Sequence, residues 1–404
     1  MPRVVVVNDA STARGGATGL ALLQARLLKD RGIDVAVFAA DRDPNPDLAA
    51  SGIAWHNAGT DPLTRAPPLT AATRGMYSRP VHAALTGLIA ATDTPDTIYH
   101  VHSWSKALTA SAFAALRPVA RRTLIHAHDY FLACPNGGYM DYRADAPCTR
   151  VPLSAACLAT NCDKRSYAQK MWRTARQMAL RRATVGADWG GVLMIHPGME
   201  PGLARGGWAP GDLHTLRNPA TALTRDRIRA EDNIGLVFVG RVETEKGVED
   251  AIAAAALAGI PLTIIGDGPL RAPLAARHPE VAFTGWLDRA GIAVHIATAR
   301  ALVMPSRYPE PFGLVAAEAS LSGLPVIAAK TALLAPEIAE YGLGLSCDTR
   351  DIAAFAAAMR EIADMPHGRI EAMSRDAASG AAGLCTTPAT WIDAQIDHYD
   401  RLLA

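Results

Sequence analysis

The sequence predicts an α/β protein built from two doubly wound, parallel-sheet, Rossmann-like domains. Its 404 residues exceed the usual size of a single hydrophobic core, so two domains are expected. Short apolar runs that suit buried strands alternate with helical patterns along the chain, and this alternation indicates parallel sheets with right-handed crossovers. We place the first domain at residues 1–217 and the second at residues 218–387.

The composition narrows the range of partners and compartments. The 40 Lys and Arg residues against 39 Asp and Glu residues give a formal charge of +1, which offers no long-range attraction to nucleic acid. The four valines near the N-terminus are too few for a secretory signal, and the longest apolar run, 251–266, is shorter than the ~20 residues of a membrane span. We therefore expect a cytoplasmic protein whose cysteines are thiols or metal ligands.

The first predicted strand, at residues 4–7, runs into a glycine loop and then a helix with leucines at helical spacing. Gly15 and Gly16 allow a ligand to approach the backbone at the start of this helix, although a plain tight turn has the same pattern. The dinucleotide fingerprint GxGxxG is absent, as is the acidic residue that should follow it. This absence argues against a nicotinamide-dependent dehydrogenase.

The next part of the chain predicts strands at 34–38 and 53–56. The segment that follows, 60–80, is rich in proline, threonine and arginine and has no periodicity, so we predict a long mobile loop there.

Four histidines lie at the carboxyl ends of two further predicted strands, 97–101 and 122–125. They are His100, His102, His126 and His128. Ligands bind at this edge of a doubly wound sheet, so these side chains are candidates for contact with a substrate. His-x-His at a strand end also suits a metal pair, because alternate residues share one face.

A loop-like segment after these strands contains four thiols, Cys134, Cys148, Cys157 and Cys162. Four thiols in one segment suit zinc, yet their spacings include no CxxC knuckle. Buried thiols that pack an irregular insertion are the alternative. In either case the segment follows the ligand edge of the first sheet, and we expect it to help select the ligand.

Residues 167–182 have the pattern of an amphipathic helix. One stripe is formed by Tyr167, Met171, Ala175 and Met178. The remainder is basic and includes Lys170, Arg173, Arg176, Arg181 and Arg182. Such a helix suggests contact with an anionic membrane surface. The alternative is an ordinary helix with its methionines in the core and its arginines in water.

The second domain begins with a predicted strand at 234–239 and the motif GRVETEKG. Arg241 follows the strand, and Lys246 precedes a glycine at a helix start. Two cations and open helix amides at one strand end suit a diphosphate, because the cations neutralise its charge and the amides orient it. A solvated charged turn is the alternative.

The stretch ALVMPSRYPEPFGLVAAEASLSGLPVI, residues 301–327, predicts a strand, a proline-rich loop, a short helix from Phe312 and a second strand. It places one carboxylate, Glu310, in the loop and another, Glu318, roughly 8 Å into the helix. Gly313 leaves the amides of the first turn open to an anionic group, and a carboxylate beyond that group accepts hydrogen bonds from hydroxyls. This combination favours a sugar-nucleotide site.

The spacing Glu-x7-Glu after an SRYPEPFG-type loop resembles the retaining GT-B glycosyltransferases of family 4. The resemblance implies that Glu310 contacts hydroxyls of the donor sugar and that Glu318 holds the ribose. It also implies that the backbone amides of Phe312, Gly313 and Leu314 contact the sugar or the diphosphate.

The same resemblance extends over most of the chain. GR-x4-KG is similar to the diphosphate pair of the family, which implies that Arg241 and Lys246 bind and stabilise the diphosphate. Gly15 and Gly16 are similar in place to the glycine loop beside the donor phosphates. His128, in its His-Asp pair, is similar to the histidine that reaches the donor sugar near the reaction centre.

In a GT-B protein two Rossmann-like domains face each other across a cleft. The first domain binds the acceptor, and the second binds the nucleotide sugar. The C-terminal helix, here 388–404, completes the first domain. The resemblance therefore implies a retaining, metal-independent hexosyltransferase that acts by front-side substitution and needs no cofactor besides its nucleoside-diphosphate sugar. We expect a glycan or lipid-linked glycan acceptor, synthesis of surface polysaccharide or glycoconjugate, and peripheral contact with the inner membrane face through the basic helix. The alternatives are a sugar-nucleotide epimerase of the same fold and a non-catalytic sugar-nucleotide-binding partner.

Overall fold

The computed structural model describes residues 2–12, 15–42 and 45–404. The chain divides into two compact units. The first comprises residues 1–144, 148–216 and 388–404, and the second comprises residues 145–147 and 217–387. The division after Leu216 lies next to the boundary that we expect after residue 217.

The first unit is built on a parallel sheet. In chain order, its strands are β1 (Arg3–Asn8), β2 (Asp34–Ala39), β3 (Ala54–Asn57), β4 (Thr97–Val101), β5 (Thr123–Ala127), the two-residue strand β6 (Met140–Asp141), β8 (Gly191–Met194) and β9 (Leu213–Thr215). The two-residue strand β7 (Ala146–Pro147) follows β6 in the chain and belongs to the second unit. The sheet has the order β3-β2-β1-β4-β5-β8-β9, with every neighbouring pair parallel. Because the strand order reverses between β1 and β4, the carboxyl ends of these two strands mark the expected ligand site.

Helices accompany these strands along the chain. They are α1 (Gly16–Asp30), α2 (Pro46–Ala50), α3 (Pro68–Met76), α4 (Arg79–Thr92), α5 (Ala110–Leu116), α6 (Ala155–Ala159), α7 (Tyr167–Thr184) and α8 (Glu200–Arg205).

The second unit repeats the doubly wound plan. Its strands are β10 (Gly235–Val239), β11 (Leu262–Ile265), β12 (Ala282–Gly285), β13 (Ala299–Met304), β14 (Val326–Ala329) and β15 (Gly344–Cys347). Its helices are α9 (Val248–Ala258), α10 (Arg271–Arg277), α11 (Arg289–Ile296), α12 (Leu314–Leu321), α13 (Ala335–Glu340), α14 (Ile352–Asp364) and α15 (His367–Ser379). The strand order β12-β11-β10-β13-β14-β15 reverses between β10 and β13, so the ligand edge lies where these two strands end.

The last helix, α16 (Pro388–Leu403), belongs to the first unit. Trp391, Ile392 and Tyr399 on this helix are fully buried in one hydrophobic cluster with Val4 and Val6 of β1. Tyr399 follows the adjacent pair Trp391 and Ile392 by about two turns, which places all three on one face of the helix. The C-terminal segment thereby completes the core of the first unit.

The prediction of a mobile loop at 60–80 is wrong. This segment contains α3 and the start of α4, and Pro68 occupies the first turn of α3. The indole of Trp172 on α7 donates a hydrogen bond to the carbonyl of Ala72 at 3.0 Å, and an added Cβ at Gly75 would lie 2.4 Å from the same ring. The surface against which α3 packs thus comes from a distant part of the chain, and local periodicity in the sequence does not reveal such a contact.

The helix at 167–182 forms, and the alternative that places its methionines in the core is wrong. Met171 and Met178 are 40% and 52% exposed, whereas Lys170 is 1% exposed. Arg173 pairs with Asp163 at 3.0 Å, and Arg176 donates to the carbonyls of Gly75 and Ser105. The buried cations have partners elsewhere in the fold, and the apolar stripe faces outward.

Among the described residues, no helix combines the length and the apolar character that crossing a membrane requires.

Candidate functional site

Lys246 and Glu310 form the centre of the candidate site in the second unit. The ammonium of Lys246 donates to Oε2 of Glu310 at 2.6 Å and to the hydroxyl of Tyr308 at 2.9 Å. Ser306 Oγ donates to the same carboxylate oxygen at 2.9 Å. Burial alone would raise the pKa of Glu310, but the charge and hydrogen bond of Lys246 outweigh it and lower the pKa. The carboxylate is therefore ionised at neutral pH.

A close backbone approach brings these two side chains together. Gly247 precedes α9 with φ of 70°, and a Cβ there would lie 2.0 Å from the carbonyl oxygen of Pro305. Only glycine fits this contact between the loop after β10 and the loop after β13. Lys246 is thereby held next to the loop that carries Glu310, at the point where the strand order of the sheet reverses.

The loop from β13 enters α12 through Gly313, which has φ of 76°. A Cβ at Gly313 would lie 2.6 Å from the sulfur of Met304, so this position also requires glycine. The helix begins at Leu314, two residues later than predicted, and the side chain of Phe312 is buried. Phe312 and Gly313 therefore offer a ligand their backbone rather than side chains.

Glu318 lies within α12 and is held by a residue that our sequence reasoning missed. Arg289 donates to Oε1 of Glu318 at 2.7 Å and to the carbonyls of Thr221 and Ala222 at 2.7 Å. Burial raises the pKa of Glu318 although Arg289 opposes the shift. A carboxylate accepts up to about four hydrogen bonds, so one from Arg289 leaves capacity for hydroxyl donors. The only sequence signal for Arg289 is its place just after β12.

Arg241 lies at the predicted strand end, but its side chain pairs with Glu243 and not with Glu310. Its side chain is 69% exposed and donates to Glu243 at 2.5 Å. The structure therefore brings Lys246 and Glu310 together and leaves Arg241 as an exposed cation after the same strand.

The first unit contains a cavity of about 350 Å³ at the carboxyl ends of β1, β4 and β5. Its lining includes His102, His126 and His128, together with the exposed cations Arg65 and Lys106. The start of α1 also borders the cavity, through Ala17 and Thr18. Gly15 is the N-cap of α1, and a Cβ at Gly15 or Gly16 would meet nothing within 4 Å. Residues 13–14 of this glycine loop lie outside the described residues.

Asp9, at the end of β1, is a second residue that sequence reasoning missed. Its carboxylate accepts hydrogen bonds from the amides of Lys106 at 2.8 Å, Ala107 at 2.8 Å and Leu108 at 2.9 Å. Asp9 therefore fixes the loop after β4 that forms one wall of the cavity. Burial raises the pKa of Asp9 although these amides oppose the shift, and burial also raises the pKa of neighbouring Asp129 to about 6.

The four predicted histidines form one group of stacked rings, with His126 and His128 parallel at a centroid distance of 4.5 Å. Burial lowers the pKa of all four and brings that of His128 to about 3, so all are neutral at pH 7. Among the described residues, ligating atoms come within 4.8 Å of one another in one trio, His100, His102 and His126.

The four thiols of the insertion do not meet at one point. Within the part of the chain that the structure describes, no three of them bring their sulfurs within 4.8 Å of one another. Instead the ammonium of buried Lys170 lies 3.3 Å from the sulfur of Cys157, and the amide of Asn136 donates to the sulfur of Cys162 at 3.1 Å. Hydrogen bonds to sulfur thus organise this insertion.

Residues 222–379 match the family model described as glycosyl transferases group 1. Glycogen synthase of Mycobacterium tuberculosis is 40% identical over 142 residues, which are 32% of this chain and 34% of that protein. D-inositol 3-phosphate glycosyltransferase of Mycobacterium avium is 30% identical over 230 residues, 54% of this chain and 51% of that protein. The chain thus spans between about a third and about half of the length of these relatives.

Solved structures resemble the chain over its whole length. Sucrose-phosphate synthase from Thermosynechococcus elongatus superposes with a TM-score of 0.71 at 20% identity, covering 100% of this chain and 99% of that chain. HepE from Anabaena, solved with UDP and glucose, superposes with a TM-score of 0.67 at 16% identity, covering 99% of this chain and 100% of that chain. The predicted α/β fold class is confirmed. Residues 222–379 thus match the glycosyl transferases group 1 family, and the chain has the fold of the GT-B glycosyltransferases.

Proposed function

We propose that this chain is a retaining glycosyltransferase of family 4. It transfers a sugar from a nucleoside-diphosphate sugar to a glycan or lipid-linked glycan acceptor, in the synthesis of surface polysaccharide or glycoconjugate. The observation that carries the proposal is the Lys246–Glu310 pair, which lies at the ligand edge of the unit that matches the group 1 family model. A sugar diphosphate needs a cation for its phosphates and an acceptor for its hydroxyls, and this pair supplies one of each.

In the proposed complex the second unit holds the donor. An ammonium has three N–H donors, and Tyr308 and Glu310 occupy two of them, so Lys246 keeps one for a diphosphate oxygen. Arg241 adds a second cation, and the amides at Phe312, Gly313 and Leu314 bind the sugar or the diphosphate.

The remaining donor contacts follow from the same chemistry. The Glu310 carboxylate accepts from hydroxyls of the donor sugar, and Glu318, oriented by Arg289, accepts from the ribose. Gly15 and Gly16 offer an open helix start in the first unit to the donor phosphates.

The proposed chemistry uses the charge of these side chains. When the bond to the anomeric carbon breaks, negative charge develops on the leaving diphosphate, and Lys246 and Arg241 stabilise it without a divalent ion. The leaving phosphate then takes the proton of the attacking hydroxyl on the same face of the sugar, so that the anomeric configuration is retained. His128 contributes a neutral imidazole that hydrogen-bonds a sugar hydroxyl.

We assign the acceptor to the cavity of the first unit. The exposed cations of Arg65 and Lys106 border this cavity. The carboxylate of Asp9, which also borders it, already accepts hydrogen bonds from three backbone amides. An acceptor that carries an anionic group, such as the diphosphate of a lipid-linked glycan, fits this charge pattern.

The donor and the reaction are tested by incubating the protein with UDP-, GDP- and ADP-sugars, with and without glycan and lipid-linked acceptors. We expect nucleoside diphosphate release that depends on the acceptor, a product with the anomeric configuration of the donor, and activity that survives EDTA. Conversion of the donor sugar without release would indicate an epimerase, and binding without any turnover would indicate a non-catalytic partner. Loss of activity in EDTA that magnesium or manganese restores would contradict the metal-free role of Lys246.

We also propose peripheral membrane contact through α7, with only the exposed part of its basic residues involved. The outward stripe of α7 contains Tyr167, Met171 and Met178, and Arg181 and Arg182 are exposed at its end. Apolar side chains flanked by cations suit the headgroup region of an anionic membrane. The protein would then act at the inner membrane face.

Sedimentation with anionic and with neutral vesicles tests this contact. The variant M171S/M178S should lose binding to anionic vesicles, whereas V294S, which changes a side chain that is 70% exposed on the second unit, should keep it. Absence of binding, or binding that ignores both lipid charge and the change on α7, would remove the membrane from the proposal and leave the transferase.

A further inference from the structure

A chain of buried hydrogen bonds connects α1 to the histidine that borders the cavity of the first unit. The side chain of Gln24, on α1, is fully buried. Its Oε1 is hydrogen-bonded to Nε2 of His102, and Nδ1 of His102 lies 2.9 Å from Nε2 of His128. His102 thus links the amide of Gln24 to His128.

The other end of the same amide starts a second branch. Nε2 of Gln24 lies 2.6 Å from Nδ1 of His100, 2.6 Å from the hydroxyl of Tyr399 and 2.5 Å from Oε1 of Gln395. Nε2 of His100 in turn lies 3.3 Å from Nδ1 of His126. Gln24 is therefore the point where two branches of the network meet.

The ring nitrogens of the histidine trio are occupied by this network. Each nitrogen of His100 and His102 has a hydrogen-bond partner, as does Nδ1 of His126, and only Nε2 of His126 is buried without one. A metal ion bound by all three side chains would have to displace Gln24 or His128. The trio is better explained as part of a hydrogen-bond relay than as a metal site.

The direction of the hydrogen bonds follows from the chemistry of the partners. A neutral imidazole has one N–H and one bare nitrogen, and burial keeps these rings neutral. Because Oε1 of Gln24 only accepts, Nε2 of His102 must donate, which leaves Nδ1 of His102 bare. His128 must then donate from Nε2, so Nδ1 becomes the bare nitrogen of His128.

We propose that Gln24 is a positioning residue that sets the tautomer of His128 through His102. In this tautomer Nδ1 of His128 can accept a hydrogen bond from a sugar hydroxyl, but it cannot donate one. The catalytic part of the inference rests on the proposed glycosyl transfer. The tautomer itself is a property of the free protein and can be measured without any substrate.

The test compares Gln24→Met with the wild type by ¹⁵N NMR of histidine-labelled protein. The His128 signals are assigned by their loss in His128→Asn. We expect the wild type to carry its proton on Nε2 of His128 and Q24M to show a mixture of both tautomers, because methionine offers His102 no comparable acceptor. With an active donor and acceptor, kcat of Q24M should fall in proportion to the fraction of His128 that leaves the wild-type tautomer, while the Kd for the nucleoside diphosphate stays unchanged.

Tyr399→Phe is the matched control. It removes a hydrogen bond from the same buried amide, but on the His100 branch, so it should lower stability without changing the His128 tautomer or kcat. A wild-type His128 protonated on Nδ1, or a Q24M protein that keeps the wild-type tautomer, overturns the proposal. So does a Y399F protein that shifts the tautomer as much as Q24M does. If the wild type transfers no sugar, the proposed function fails, while the NMR result still decides the role of Gln24.

Discussion

At the scale of single residues, the environment of Lys246 decides what its charge can do. The ammonium is fixed between Tyr308 and Glu310, with a side chain that is 21% exposed, so it is pre-oriented before any ligand binds. A pre-oriented charge does not have to reorganise when a diphosphate leaves, and this is the main source of electrostatic stabilisation in enzymes.

Replacing Lys246 by alanine should therefore reduce kcat by about 100-fold or more. The control is Lys330→Ala, which removes an exposed lysine of the same unit paired with Asp348 at 2.9 Å. Steady-state kinetics with the best donor should show the loss in K246A and near-normal turnover in K330A. Equal activity of the two variants would remove Lys246 from the reaction.

Glu318 and Arg289 should act as one unit in binding the donor. Ribose contacts are the same in the ground state and the transition state, so Glu318→Ala should raise the KM for the donor by about tenfold with little change in kcat. Arg289→Ala should have a similar effect because it frees the carboxylate that it orients. The double variant should be little worse than either single one. Additive losses would show that the two residues bind the donor independently.

Sequence reasoning singled out Lys246, Glu310 and Glu318 as candidates because each lies in the loop or helix that directly follows a predicted strand, which is a local pattern. It did not identify their partners. Arg289 reaches Glu318 from α11, and Gln24 reaches His102 from α1, and neither side chain lies within a motif of its own. Such pairings depend on which elements become neighbours in the folded protein, and local sequence patterns do not show this.

At the scale of elements, α7 shows that the pattern of apolar and basic residues along a helix does not determine which face packs against the rest of the protein. Its methionines have the pattern of a core stripe, yet Lys170, Arg173 and Arg176 are the residues that face the fold. Each of these cations finds partners on other segments, and such partners make burial of a charge tolerable. Amphipathic spacing predicted the helix correctly, but contacts with distant segments of the chain determine which of its faces is buried.

The packing of α3 on α7 can be tested with two glycines. In Gly75→Ala the new Cβ would lie 2.4 Å from the indole of Trp172, and we expect a loss of about 1–3 kcal/mol in the free energy of unfolding. In Gly87→Ala, on α4, the Cβ meets nothing within 4 Å, and better helix propensity should add up to about 1 kcal/mol. Urea unfolding of both proteins is the measurement. A stabilising Gly75→Ala would mean that α3 does not pack against Trp172.

At the scale of the whole molecule, the strand order explains where the candidate groups lie. In the first unit the order reverses between β1 and β4, which are followed directly by Asp9 and His102, and in the second it reverses between β10 and β13, which lead to Lys246 and Glu310. The alternation of strands and helices was sufficient to predict two doubly wound sheets. The helices within 60–80 were not predictable, because their packing surface lies on α7.

The stability of the whole molecule should fall in mild acid because of its buried histidines. Burial lowers the pKa of His100 and His128 to about 3 and that of His398 to about 4, whereas the unfolded chain titrates near 6.5. Below that value the unfolded state binds protons that the folded state does not, so His100 and His128 should each cost about 1.4 kcal/mol between pH 7.5 and 5.5, and the half-buried His398 should cost less. Asp129, with its pKa raised to about 6, acts in the opposite direction, so Asp129→Asn should make the loss larger. Urea unfolding at the two pH values measures both effects, and equal stability of the wild type at pH 7.5 and 5.5 would contradict the buried, neutral state of the histidines.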